Sequence, residues 1–263
     1  MLRWSLGADE QAEKRMDEEA WLRCEEPQRL LEAVKRRASE RRLRLLASAC
    51  IRLVWEKLDR EECREALEEL ERAADGLSTP TDLARASQEA WEVSSDLDAA
   101  SDEMGDGPDS AFLERQLAAN AVANACSFRD AFPYAVRVTC VLYDVEQTAW
   151  YRAGGDEHEE EARQAMENIR RQVVARLRDL FGDHFRPGTL APECLTPAVL
   201  ELAKTAYAER SAPSGELDPV RLAILADALE EAGCSDGEIL HHLRSGGTHV
   251  RGCWALDRVL GRE

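Results

Sequence analysis

Apolar residues recur at steps of three and four along most of this 263-residue chain, and that period commits it to helices. Leu43, Leu46, Ala47, Cys50, Val54 and Leu58 fall on one face of a helix opened by Ser39, whose hydroxyl suits an N-cap. Cys63, Ala66, Leu67, Leu70, Ala73 and Ala74 make the next stripe, with Asp59 placed to cap it and Gly76 to stop it. The two segments read as a helical hairpin with a very short turn.

The period continues on both sides of this hairpin. Asp17 to Cys24 reads as a short helix, and Pro27 suits the first position of another. Thr79-Pro80 opens a helix running past Trp91 towards Met104, and GDGPD at 105–109 breaks it. Phe112, Leu117, Ala121, Ala125 and Phe128 mark a helix from Ser110. Residues 131–151 include the β-branched run VRVTCVLYDV, yet a lone strand has no pairing partner, so the segment is read as a buried helix. An acidic first turn, DEHEEE, begins a long helix to Phe181, its carboxylates matched to the positive end of the helix dipole. Its stripe is Ala162, Ala165, Met166, Ile169, Val173, Leu177 and Leu180. A Pro-rich connector, FRPGTLAPECLTP at 185–197, leads to helices over Pro197–Ser211 and Pro219–Ala232 and to two short ones in the tail.

The expected fold is therefore all-α: a compact bundle of about ten helices arranged as hairpins, with an irregular α-solenoid as the alternative. Residues 1–15 read as an extension. The segments 16–104, 110–184 and 185–263 follow as hairpins, central helices and tail of one continuous unit.

An apolar fraction of 44% supports a core, while a formal charge of −18 repels phosphate backbones and anionic membranes over most of the surface. No stretch approaches the roughly 20 apolar residues that span a bilayer, and MLRWSLGADEQAEKR lacks the apolar region of a secretory signal. The eight cysteines lie mostly inside helical stripes, so reduced thiols in a cytoplasmic setting are expected, not a disulfide framework.

Catalytic signatures are missing: the chain contains no GxSxG, GxxxxGK[ST], GxGxxG or HExxH. Site chemistry concentrates in the tail, where Cys234, His242, His249 and Cys253 match in number the four N or S donors of a zinc site. His249 and Cys253 are four apart and share a face if helical, whereas Cys234 and His242 lie at opposite ends of the preceding helix. No cofactor is expected from the motifs, and zinc is the metal this donor set suits. Glu238-x-x-His241 matches half of a carboxylate di-iron helix pair, but no second Glu-x-x-His accompanies it. GCSDGEILHHL followed by SGGTHVRGCWALDRVLG also resembles the helix-turn-helix pattern of LuxR-type regulators. Five arginines against eight acidic residues from Leu217 to Glu263 suit phosphate contact poorly.

A wider resemblance covers both ends of the chain. DEEAWL at 17–22 with Cys24 and Pro27, and ASERRLRLLASACIRLVW at 38–55, match its opening. FRPGTLAPECLTPAVLELAKTAYAER at 185–210, LAILADALEEAGC at 222–234 and HVRGCWALDRVLG at 249–261 match its close. Together they resemble an uncharacterised bacterial all-helical family, with residues 77–180 only loosely similar. ADALEEAGC is also similar to the core of small repeat-companion modules. The resemblance implies a helical fold, a bacterial cytosolic setting and an accessory or interaction role, and carries no activity with it. Met16 aligns with the family start. Cys234, His242, His249 and Cys253 fall on pattern positions, whereas Leu243 and Cys194 replace the pattern's Cys and Trp, and Thr248 stands where it has Pro.

The functional expectation is a non-enzymatic helical module that binds a protein partner or itself, away from membranes and nucleic acid. Its aromatic anchors are expected among Trp4, Trp21 and Trp254. A metal-dependent hydrolase built on the tail cluster and a DNA-binding regulator are the alternatives.

Overall fold

Side-chain oxygens close most of the helix starts. Asp17, Ser39, Thr79, Thr196, Asp218 and Asp236 each accept a backbone N–H from the first turn that follows them. Thr79 and Asp82 form a reciprocal capping box. The computed structural model describes residues 16–104, 110–127, 135, 138, 159–185 and 188–262. The helices are α1 (Glu18–Arg23), α2 (Pro27–Val34), α3 (Glu40–Ile51), α4 (Glu61–Ala74), α5 (Pro80–Glu103) and α6 (Ser110–Cys126). They continue with α7 (Glu159–Phe181), α8 (Pro197–Ala208), α9 (Pro219–Glu231), α10 (Gly237–Arg244) and α11 (Trp254–Leu260). The only β pairing among the described residues is two isolated antiparallel bridges, Arg210 with Leu217 and Glu216 with Val250, so the fold is all-α.

Hairpin neighbours pack together along the chain: α3 on α4, α4 on α5, α5 on α6, α8 on α9 and α9 on α10. Distant helices also meet, with α7 lying against α2, α3 and α11. A solenoid stacks each unit only on its neighbours, so these contacts make the arrangement a bundle. One apolar cluster runs from Trp21 to Phe181 and takes in Val250; a second runs from Leu190 to Val259.

Three local expectations need correction. The helix expected through Leu58 ends at Ile51 and tightens to a 3₁₀ turn over Arg52–Lys57, where Val54 leaves helical backbone angles (φ −114°, ψ 25°). There Arg52 is buried and reaches Glu71 at 2.6 and 3.1 Å and the Pro213 carbonyl at 2.8 Å. Asp59 does not cap α4: Arg60 holds that position without a side-chain cap, and Asp59 pairs with Arg115 at 3.5 Å. Trp21 and Trp254, expected as surface anchors, are 1% and 6% exposed. Their rings are large enough that the core claims them: Trp21 packs on His184 and Phe185, and Trp254 on His242. Trp4, the extension over 1–15, the GDGPD break, the first half of DEHEEE and nearly all of 131–151 lie outside the described residues.

Gly252 makes one turn that the site depends on. Its φ is +86°, and a Cβ there stands 2.9 Å from Leu45 Cδ1. Replacing Gly252 by Ala combines left-handed strain with an overlap in the core, and is expected to destabilise the fold by about 1–3 kcal/mol. Urea unfolding of the variant checks this.

Candidate metal centre

Four donors converge where α7 meets the tail. Asp179 comes from the last turn of α7 and His242 from α10; His249 precedes the Arg251–Gly252 turn, and Cys253 is the N-cap of α11. One ligand atom from each lies within 4.8 Å of all the others. Asp179 Oδ1 is 2.8 Å from His249 Nδ1 and 3.0 Å from His242 Nε2. Cys253 Sγ is 3.3 Å from His242 Nε2 and 3.9 Å from His249 Nδ1. Asp179, His249 and Cys253 are buried, and His242 keeps 20% of its side chain exposed.

The ring nitrogens decide what this arrangement can do. A nucleophile–base–acid relay uses opposite nitrogens of one imidazole, one for the thiol and the other for the carboxylate. Here His242 presents the same Nε2 to both Asp179 and Cys253, and His249 the same Nδ1 to both. All four groups aim at a common point, which is the geometry of coordination.

Their outward atoms are held as ligands usually are. Asp179 Oδ2 accepts the Val250 N–H at 2.8 Å. His249 Nε2 lies 3.3 Å from the Ser245 carbonyl, to which it donates when Nδ1 faces inward, and 3.2 Å from the Ser245 hydroxyl. His242 is wedged between His249 and Trp254, with ring centroids 4.8 and 4.9 Å away.

Electrostatics show how the four groups balance one another. Burial pushes the Asp179 carboxyl up, but hydrogen bonds and charge from His242 and His249 outweigh it and hold the group below its ordinary value. For His249, burial lowers the imidazole, and Asp179 more than reverses that, leaving it raised. Burial, with the Asp179 charge beside it, drives the Cys253 thiol well above its ordinary value. A buried thiol with so little thiolate is a poor nucleophile until a cation replaces its proton.

The structure brings together three of the four donors expected from sequence. His249 and Cys253 meet through a tight turn instead of along one helix. Cys234 is not in the cluster: buried after α9, it shares a side-chain hydrogen bond with Cys194. Asp179 takes its place. Asp179 sits beside Leu180 at the edge of the buried stripe of α7, and a second buried charge, Arg176, lies three residues earlier. Charged residues on the core side of a helix are costly without a partner, and that pair is the sequence signal for the missing ligand.

The helix-turn-helix reading finds no free recognition helix. Five of the seven residues of α11 are buried, Asp257 among them, so it has no polar face to offer a groove. No protein-family model, no curated protein and no solved structure matches this chain.

Proposed function

We propose that the chain is a non-enzymatic helical interaction or accessory module of a bacterial cytoplasm, whose tail is locked onto the bundle by a zinc ion. The observation that carries this reading is the convergence of Asp179, His242, His249 and Cys253 on one point, three of them buried. Two imidazoles, a thiolate and a carboxylate suit zinc's borderline softness and its tetrahedral preference. Catalytic zinc keeps a position open for water beside three protein ligands, whereas four protein ligands make a closed, structural site. A filled donor set supports holding over hydrolysis, as does the lack of hydrolase motifs. The no-membrane part of the reading accords with the helices: among the described residues none is long and apolar enough to cross a bilayer.

Elemental mass spectrometry of the tag-free protein is expected to find about one zinc per chain, lost in His249→Ala. In the cobalt-substituted protein the tetrahedral absorption bands are expected to be insensitive to added azide. A spectrum that shifts with azide reveals an open position and puts the hydrolase in front; no bound metal overturns the zinc reading. Light scattering and quantitative cross-linking in native lysate test the interaction role. A chain that stays monomeric and captures nothing stoichiometrically overturns it.

A further inference from the structure

We propose that Arg251 and Arg262, both packed against the Tyr207 ring, form a clamp for an oxyanion, a phosphate or carboxylate group. This goes beyond the zinc reading and uses none of its four ligands. Other arginines in the same region are fully engaged. Arg41 bonds both oxygens of Asp257 at 2.5 and 3.0 Å, Asp75 at 3.1 Å and the Tyr207 hydroxyl at 2.7 Å. Arg52 holds Glu71 with two bonds, and Arg210 joins the same carboxylate.

Arg251 and Arg262 stand apart from this pattern. Their nearest carboxylate is Asp75, at 3.7 and 3.8 Å, beyond hydrogen-bonding reach. Asp75 is already occupied by Arg41 and by the Tyr207 hydroxyl at 2.8 and 2.9 Å. Among the described residues neither guanidinium donates a hydrogen bond, and the buried Arg251 Nε and Arg262 Nη1 have only the long ion pairs to Asp75. What positions them is the Tyr207 ring, with guanidinium carbons 5.3 and 4.2 Å from its centroid. A cation–π contact uses the face of the guanidinium and leaves its N–H edge unspent, and that edge fits the two oxygens of a carboxylate or phosphate.

The local charge points the same way. Among the described residues Arg41, Arg251 and Arg262 set three positive charges against the two of Asp75 and Asp257, with which they pair, in a protein of net charge −18. Side-chain exposures of 15% for Arg251 and 36% for Arg262 leave the pair within reach of a ligand. An anionic group arriving there supplies the acceptors that Asp75 cannot.

The test is a titration of the zinc-loaded protein with inorganic phosphate and, separately, with glutarate, followed by amide NMR at constant ionic strength. Saturable shifts centred on Tyr207, Arg251 and Arg262 are expected. Arg251→Gln or Arg262→Gln should each weaken binding about tenfold, the loss expected for a charge-assisted bond, and the double variant should abolish it. Saturation by phosphate alone assigns the site to phosphate, and saturation by glutarate alone to carboxylates. Shifts that do not saturate, or that persist in the double variant, overturn the clamp. Because Arg251 lies two residues from both His249 and Cys253, zinc content is measured on every variant. Lost affinity at full zinc occupancy is the clamp failing; lost zinc together with lost affinity in both single variants would reduce the arginines to supports of the metal centre and overturn the proposal. Failure of the clamp in protein that keeps its zinc leaves the proposed function standing.

Discussion

Removing the metal with a chelator is expected to lower the thermal midpoint by about 8–16 °C. A ligand present at a thousand times its dissociation constant contributes about 4 kcal/mol, and in a chain of this size each kcal/mol moves the midpoint by roughly 2–4 °C. The loss should centre on the tail, because His242, His249 and Cys253 sit within about a dozen residues of one another while Asp179 anchors them to α7. Hydrogen exchange is expected to rise first at α10, α11 and the turn between them. A midpoint and exchange pattern unchanged by chelation would sink the zinc lock.

The same site predicts opposite pH dependences for the two forms. With zinc bound, acid weakens the lock, since protons compete for the imidazoles and the thiolate. Without zinc, the lock is the buried pair of His249 and Asp179. His249 is raised in the fold, so its contribution is complete below its unfolded value of about 6.5 and fades as pH climbs through the folded one. Asp179 is lowered, so its contribution is present above its unfolded value of about 3.9 and fades as pH falls through the folded one. The metal-free protein is therefore expected to be most stable between about pH 4 and 6.5, where the zinc form is losing its metal. Melting curves of both forms across this range check the crossing.

Arg41→Ala carries the second large effect. Arg41 is the shared partner of Asp75 and Asp257, whose side chains are 1% and 0% exposed. Its removal leaves two buried carboxylates short of their main cation, and breaking a buried pair in this way costs about 3–5 kcal/mol. Chemical denaturation measures the loss. In a double-mutant cycle with Asp257→Ala, the combined cost should fall well below the sum, because the second change removes the charge the first one stranded. Additive costs would mean that Arg41 acts by packing alone.

Much of this architecture was legible in the residues. Ser39, Pro27, Thr79-Pro80 and Gly76 stand at the helix boundaries their chemistry favours, because caps act over three or four residues and need no tertiary knowledge. Apolar spacing likewise located α4, α7, α8 and α9 closely, and the start of α3. What failed was whatever depends on contacts across the fold. Asp59 looks like a cap until Arg115 claims it. Trp21 and Trp254 look like anchors until packing buries them. Cys234 looks like a ligand until Cys194 arrives beside it. Asp179 escaped because an aspartate at the edge of an apolar stripe can face solvent or core, and the sequence of α7 alone names no partner for it. Only the docking of a tail some sixty to seventy residues later shows what it faces.

The pairing of Arg41 with Asp257 also bears on when this molecule can finish folding. The two residues are 216 positions apart, and the Tyr207 and Asp257 partners of Arg41 both belong to the last third of the chain. During synthesis the opening hairpins emerge first, with Arg41 and Asp75 holding only each other. Closing so long a loop is slow relative to forming the hairpins themselves. The amino-terminal helices thus wait in a provisional state until a segment synthesised some two hundred residues later supplies the charge that settles their packing.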